Sequence, residues 1–428
     1  MRIRLRSVTK KKKASRTETD GLSVDGVSLS DIAAEFGTPA YVYSAQQIVS
    51  AYRQYDRAFG THKHLVCYAV KANPANSILS ILANESAGFD IVSGGELIRV
   101  LQAGGDPANI IFSGVGKMDD EINAALDVGI RSINVESASE LMRLDRLARE
   151  KKLCVPIALR VNPDVTADTH PHIATGGSEH KFGIPAAQIV ALAARAKEMQ
   201  GVALHGLAMH IGSQITDLQP LLSATKALRQ MALELRKHGI DICRLDLGGG
   251  LGVSSVAPAR ESYVSALLDV FKDGDDFEYV IEPGRSMVAD AGVLLCRVIQ
   301  LKQNEQKSFA IVDAGMNDFM RPTLYDAYHE ILNVSHSNRA PVASYDVVGP
   351  ICESGDTLGK NRRLAVREGS LLAIMSAGAY GATMSSHYNS RPRCAEITIE
   401  DGKACLTRQR ETMADLCRNE KFMTHKTA

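Results

Sequence analysis

Three absences in this 428-residue sequence each close off a class of function. No apolar run approaches the ~18 residues that a membrane-crossing helix requires, so a spanning protein is not expected. The formal net charge is zero, with 49 basic against 49 acidic residues, so the bulk field favours neither nucleic acid nor an anionic membrane. The eight cysteines include no C-x-x-C pair and no Cys/His cluster. That argues against a structural zinc site and against a disulfide scaffold, and it fits a reducing compartment such as the cytoplasm. No internal repeat or low-complexity tract stands out either.

Charge is uneven only at the start. Arg2, Arg4, Arg6, Lys10 to Lys13 and Arg16 face only Glu18 and Asp20. The stretch has no apolar h-region, so a secretory signal is not expected. It reads as a basic, disordered tail over residues 1–20, with a short organellar transit peptide as the alternative. Without it the chain is mildly acidic.

What is present is a rhythm. From about residue 40 to 285, short β-rich runs alternate with amphipathic helical stretches. Candidate strands are 40–43, 65–70, 89–92, 110–113, 132–135, 156–161, 206–211, 244–247 and 279–281. Between them lie helical patterns such as Leu221, Leu222, Ala224, Leu228, Met231 and Leu235 at near-3.6 spacing. About eight such repeats predict a (β/α)8 barrel, with a doubly wound sheet as runner-up. After Glu282 the rhythm changes. Runs at 292–299, 308–312, 363–366 and 396–399 lack long intervening helices and predict an antiparallel β domain. The expected organisation is a tail over 1–20 and a segment over 21–44 that packs with the β domain. A barrel over 45–290 and a C-terminal β domain over 291–428 complete it.

The polar and glycine-rich residues follow the strands. In a barrel that places them at the C-terminal rim, where such enzymes build their sites. Tyr68-Ala69-Val70-Lys71-Ala72-Asn73 sets a lysine at the end of an apolar strand. Desolvation at a site mouth would lower its pKa and make it a usable amine nucleophile; a lysine snorkelling to solvent is the bland alternative. Asp246-Leu247-Gly248-Gly249-Gly250-Leu251-Gly252 fits a phosphate cradle or a tight turn equally well. It is no dinucleotide fingerprint, because Val253 stands where the last glycine belongs. Glu282-Pro283-Gly284-Arg285 puts an acid and a guanidinium on one rigid turn. His210-Ile211-Gly212-Ser213 ends an earlier strand, and His210 reads as either a packing residue or a site residue. Lysine, phosphate cradle, acid and ring-stacking histidine together are what pyridoxal 5'-phosphate needs.

These motifs carry a resemblance. The chain resembles the diaminopimelate decarboxylase family of fold-type III pyridoxal-phosphate decarboxylases, from about residue 30 to 415. It rests on YAVKAN, on His172-Ile173-Ala174-Thr175-Gly176 leading to His180-Lys181-Phe182-Gly183, and on HIGSQ, LGGGLG, EPGR, CESGD and a late GAY. The resemblance implies that Lys71 is the Schiff-base lysine and that His210 stacks on the ring. It implies that Ser213 and the backbone of Gly248, Gly249 and Gly250 hold the phosphate. Glu282 would pair with the pyridine nitrogen, and Arg160 would lie near the phenolic oxygen. Gly284, Arg285 and Tyr380 would lie beside cofactor and substrate.

For a substrate whose far end carries a carboxylate and an ammonium, Arg285 and Arg321 suit the carboxylate and Glu353 suits the ammonium. Tyr325 would add a hydrogen bond. Surface pairing for Arg321 and packing for Tyr325 are the plain alternatives. Cys352 is the candidate proton donor after CO2 leaves; the other seven cysteines read as small buried hydrophobes. The resemblance implies a homodimer in which Cys352 and Glu353 act in trans to Lys71. The expected reaction converts meso-2,6-diaminopimelate to L-lysine and CO2, the last step of lysine biosynthesis. Alternatives are decarboxylation of ornithine, arginine or carboxynorspermidine, or a non-catalytic cofactor-binding relative. A racemase is disfavoured by Glu282. The segment Tyr388-Asn389-Ser390-Arg391-Pro392 shares the family pattern without an assignable role, and His387 beside it reads as packed or functional alike.

Overall fold

The computed structural model of the chain describes residues 15–17, 21–165, 181–272, 274–335, 340–421 and 423. The His172–Gly176 motif, His180 and most of the basic tail lie outside the described residues. Within the tail, Ser15–Thr17 corrects the expectation of disorder. It pairs antiparallel with Gly21–Val24, which gives its backbone groups partners.

The chain divides into two units. The first comprises residues 47–289 together with 378–384. In it, strands His64–Ala69, Gly88–Ile91, Ile110–Phe112, Ser132–Val135, Val155–Asn162, Val202–Ala208, Arg244–Asp246 and Glu278–Ile281 pair in parallel. The fifth strand pairs with both the fourth and the sixth, and the last pairs with the first. The sheet therefore closes into an eight-stranded barrel. Ile111, Val280 and Cys67 fill its interior beside Leu65. Burial on both faces explains why these strands read as continuous apolar runs. Helices such as Gln219–Lys237 follow the strands, with Leu221, Ala224, Leu228 and Leu235 buried.

At the N-terminal ends of the strands, Glu278 accepts from Arg244 Nε at 2.7 Å and also pairs with Arg131. Burial alone would raise the Glu278 pKa, but the two guanidiniums outweigh it and hold it below the usual range. Its stabilising contribution is present above the unfolded-state pKa and lost as pH falls through the lowered folded value. Glu278→Gln is expected to cost about 1–3 kcal/mol near pH 7 and far less at pH 3, measured by urea unfolding across that range.

The second unit comprises residues 1–46, 290–377 and 385–428. Its main sheet runs from Thr357–Ala365 through Val342–Val348, Ser308–Val312, Gly292–Gln303, Ala40–Ser44 and Ala395–Glu400 to Lys403–Arg408. Most pairings are antiparallel, but 308–312 with 342–348 and 40–44 with 395–400 run parallel. The helix Leu29–Phe36 is capped by Ser28, whose hydroxyl accepts from Ser30 and Asp31 amides. Its Leu29, Ile32 and Ala33 join Val42, Val293, Leu295, Ala373, Ile397 and Ile399 in one apolar core.

Three expectations need correction. Residues 40–43, counted at the head of the strand–helix rhythm but placed in the segment expected to pack with the β domain, pair with 292–295 and 395–399 and so do not open the barrel. Their unbroken apolar character serves a strand buried on both faces in either sheet. Residues 378–384, expected in the β domain, group with the barrel. Hydrogen bonds to the Lys71 turn decide this: Tyr380 N–H donates to Ala72 O at 2.7 Å, and the Asn73 side-chain Nδ2 donates to Gly378 O at 2.9 Å. Finally, only Cys67, Cys296 and Cys394 of the other seven cysteines are buried, whereas Cys154, Cys243, Cys405 and Cys417 are exposed.

Candidate active site

The C-terminal ends of the barrel strands converge on Lys71. The strand His64–Ala69 passes directly into a single 3-10 turn, Val70–Ala72. Tyr68 OH donates to Asn73 O at 2.9 Å, and Asn73 Oδ1 accepts from the Ala75 amide, so the turn is pinned from both sides. Lys71 Nζ thereby reaches Asp90 Oδ2 at 2.5 Å. Asp90 is fully buried on the strand Gly88–Ile91, and its Oδ1 has no hydrogen-bond partner among the described residues.

Here the expected lowered lysine pKa is overturned. Burial does work against the charge, but Asp90, Glu282 and Tyr380 outweigh it and hold the Lys71 pKa above its ordinary value. The side chain also keeps about a third of its surface exposed, at 35 %. Lys71 is therefore an ammonium paired with the Asp90 carboxylate, and it must hand on a proton before its nitrogen attacks anything.

Glu282 follows the strand Glu278–Ile281 and lies against Asp246, the last residue of its own strand. The two carboxyls hydrogen-bond to each other. Burial first, then Asp246 and Asp90, push the Glu282 pKa well up. Burial likewise raises Asp246, whose hydrogen bonds from Glu282, Gly248 N–H and Asn134 oppose the rise. Both shifts favour a proton held between the two carboxyls. Asn134 Nδ2 lies 3.0 Å from Asp246 Oδ2 and 3.5 Å from Glu282 Oε1, and Ser113 Oγ donates to the same Glu282 oxygen at 3.3 Å.

The glycine turn sits beside this pair. Gly248 N–H donates to Asp246 Oδ1 at 3.0 Å, and Gly249 N–H donates to His210 Nδ1 at 3.2 Å. An accepting Nδ1 places the ring proton on Nε2. Burial, then Arg160 and Lys71, lower the His210 pKa well below normal, so the ring is neutral. Gly249 has no room for a side chain, because a Cβ would lie 2.2 Å from Glu282 O. Gly249→Ala is expected to displace the Glu282 backbone and weaken cofactor affinity by about tenfold or more, read by cofactor titration.

Arg285 donates to Ser213 Oγ from Nη2 at 3.0 Å and lies 4.7 Å over the Tyr380 ring. Gly284 packs its bare Cα against Ala69 and Ala72. Arg160 Nη1 donates to Glu136 Oε1 at 2.5 Å and stacks 5.0 Å from the Phe182 ring. The other oxygen of Glu136 accepts from Gly183 N–H at 2.7 Å.

A second set lies in the β unit. Arg321 opens the short helix Arg321–Tyr325 and is buried; its Nε donates to His329 Nε2 at 3.4 Å, and it lies 5.6 Å over the Tyr325 ring. Burial overturns the surface-pair alternative for Arg321. Cys352 and Glu353 occupy an exposed loop. Its base is fixed by Asp356, which accepts from Met316 and Ile351 amides at 2.6 and 2.7 Å. Thr323 Oγ1 donates to Gly355 O at 2.9 Å, tying that loop to the Arg321 helix.

Comparison with known proteins turns this geometry into a family. Residues 45–289 match the family described as pyridoxal-dependent decarboxylase, pyridoxal binding domain. The chain is 51 % identical over 405 residues to diaminopimelate decarboxylase of Pseudomonas aeruginosa, covering 94 % of this chain and 97 % of that one. It belongs to the diaminopimelate decarboxylase family. The Vibrio cholerae member is 47 % identical over 93 % of this chain and 96 % of its own. Among solved structures, the Helicobacter pylori diaminopimelate decarboxylase complexed with L-lysine superposes with TM-score 0.88 at 41 % identity, covering 91 % and 98 % of the two chains.

The residues present fit the cofactor that diaminopimelate decarboxylases use. Asp90, Asp246 and Glu282 bring three buried carboxyl groups to one place, with Lys71 as the cation among them. A protonated pyridine nitrogen is the kind of charge such a cluster takes up, and the unpartnered Asp90 oxygen marks the same surplus of acceptors. Among the described residues no group of His, Cys, Asp and Glu could hold a metal ion, and no helix is long and apolar enough to cross a membrane.

Lys71, Glu282, His210, Ser213, Arg160, Gly248 to Gly250, Gly284, Arg285 and Tyr380 all belong to the barrel unit; Arg321, Tyr325, Cys352 and Glu353 belong to the other. Sequence reasoning missed Asp90, Ser113, Asn134, Glu136 and His329. Glu96 was also missed: its pKa is pushed up to about 7, by burial first, against the Val92 amide and Lys71. For Asp90 and Asn134 a signal existed, since each is a polar residue inside a short apolar strand, where it needs a partner.

Proposed function

We propose that this protein removes the carboxylate at the D-centre of meso-2,6-diaminopimelate, releasing CO2 and L-lysine. The observation that supports it most is the buried Glu282 carboxyl facing Lys71 at the C-terminal rim, in a chain of this family. Pyridoxal phosphate, when bound, supplies the electron sink that accepts the pair left on the α-carbon as the bond to CO2 breaks. Lys71 would hold the cofactor through its nitrogen, after passing its proton on. Glu282 would hold a proton at the pyridine nitrogen, which would keep the sink strong. The neutral His210 ring would pack against the cofactor without adding a charge. Ser213, Arg285 and the glycine turn would hold the phosphate, and Arg160 would hold the phenolic oxygen.

Cys352 delivers a proton to the α-carbon in place of the departed CO2, so the balance is one C–C bond broken and one C–H bond formed. Arg321, with Tyr325, binds the distal carboxylate, and Glu353 binds the distal ammonium. The protein works in the cytoplasm as a homodimer, with Cys352 and Glu353 completing the site that contains Lys71 of the partner subunit.

Purified protein with pyridoxal phosphate, offered meso-, LL- and DD-diaminopimelate, ornithine and arginine separately, is expected to release CO2 and lysine from the meso form alone. CO2 from ornithine or arginine would overturn the roles of Arg321 and Glu353. Mixing inactive Lys71→Ala and Cys352→Ala chains is expected to recover up to about a quarter of native activity; no recovery would sink the shared site.

A further inference from the structure

The segment Tyr388-Asn389-Ser390-Arg391-Pro392 has no part in the reaction as described so far, yet it touches the loop that carries two of its residues. Asn389 Oδ1 accepts the Cys352 backbone N–H at 2.8 Å. Asn389 thus holds the backbone of the Cys352 loop from the side.

The backbone at this point is built for the purpose. Asn389 and Ser390 both adopt left-handed conformations, φ 55° and 54°. That costs a non-glycine residue about 1 kcal/mol and is tolerated best by Asn and Asp. The conformation is held from outside. Ser390 N–H donates to His387 O at 2.8 Å, and Arg391 Nη2 donates to Asp313 O at 2.9 Å. His387 Nε2 lies 2.6 Å from Glu411 Oε2, so its part here is to anchor the segment.

The Cys352 loop needs such a holder. Asp356 and Thr323 fix its base, but residues 352–355 are exposed. A proton donor on an exposed loop delivers efficiently only if its backbone is oriented, since a misplacement of about 1 Å can cost about a hundredfold. We propose that Asn389 is a positioning residue: by holding the Cys352 backbone it orients the thiol for proton delivery. The inference rests on the proposed role of Cys352.

The test uses the holoenzyme with meso-diaminopimelate, together with hydrogen exchange on the peptide containing Cys352. Asn389→Gly keeps the left-handed backbone and removes only the acceptor. It is expected to lower kcat about tenfold with KM within about twofold, and to speed exchange of the Cys352 amide about tenfold. Asn389→Asp restores an acceptor oxygen and is expected to bring kcat back to within about threefold of native.

Cys352→Ala runs alongside. If it is crippled while Asn389→Gly matches native enzyme, the positioning inference is wrong and the role of Cys352 stands. If Cys352→Ala is itself unchanged, that role is wrong and the inference falls with it. A loss in Asn389→Gly that tracks a lowered thermal midpoint, without rescue by Asp, would reduce the segment to a structural element and overturn the inference.

Discussion

Replacing Lys71 by alanine is expected to lower decarboxylation by about 10⁴-fold or more, leaving cofactor that dialyses away from the protein. Two roles are lost at once, and a companion variant separates them. Lys71 Nζ is the nitrogen proposed to take the cofactor, and it is also the cation that faces Asp90 at 2.5 Å. Lys71→Arg keeps the positive charge beside Asp90 but presents a guanidinium that stays protonated and does not attack a carbonyl. It is expected to be as inactive as alanine, yet to unfold near the native temperature, whereas Lys71→Ala unfolds several degrees lower because buried Asp90 loses its cation. Measuring lysine release, retained visible absorbance after dialysis and thermal midpoint on both variants decides the matter. Activity above about one per cent in either variant would remove Lys71 from the centre of the reaction.

Glu282→Gln is the second large effect, and stability and activity should move in opposite directions. Glutamine cannot hold a proton at the pyridine nitrogen, so turnover is expected to drop by about 10²–10³-fold. In cofactor-stripped protein the same change removes a burden. Burial, Asp246 and Asp90 raise the Glu282 pKa, so ionising it in the folded barrel is costly. A raised folded pKa means the associated stability is complete below the unfolded value and lost as pH rises through the folded one. Gln at 282 resembles the protonated acid and still donates to Asp246. Native and variant stripped proteins should therefore unfold alike at acid pH, and the variant should survive higher temperatures on the alkaline side. A variant less stable than native at every pH would show that the cluster is not electrostatically loaded.

Much of the barrel was legible because a fully buried parallel strand leaves an unmistakable apolar run, and each is followed by a helix of matching period. The β unit was less so. Lys403–Arg408 is largely exposed and Val342–Val348 only partly buried, so neither carries the alternation that marks a strand from sequence. They hold their places through backbone pairing with 395–400, 308–312 and 357–365, which leaves little trace in side chains.

The same division runs through the site. A lysine at a strand end, a glycine turn and an acid-proline-glycine-arginine corner announce their chemistry, because each needs only its immediate neighbours to make sense. The strand-end positions of Lys71, the glycine turn and Glu282 and the kind of cofactor were all local facts of this kind, whereas the place of Tyr380 in the barrel unit was not. The charge on Lys71 was not. Local burial argues for a lowered pKa, and the opposite holds because Asp90 and Glu282, 19 and 211 positions away, face the same nitrogen. Coulomb terms depend on distances between residues that only the closed barrel brings together. The grip of Asn389 on Cys352, 37 positions away, is likewise a property of the folded chain alone. Folding decides which charges share a cavity, and the protonation states of the site follow from that.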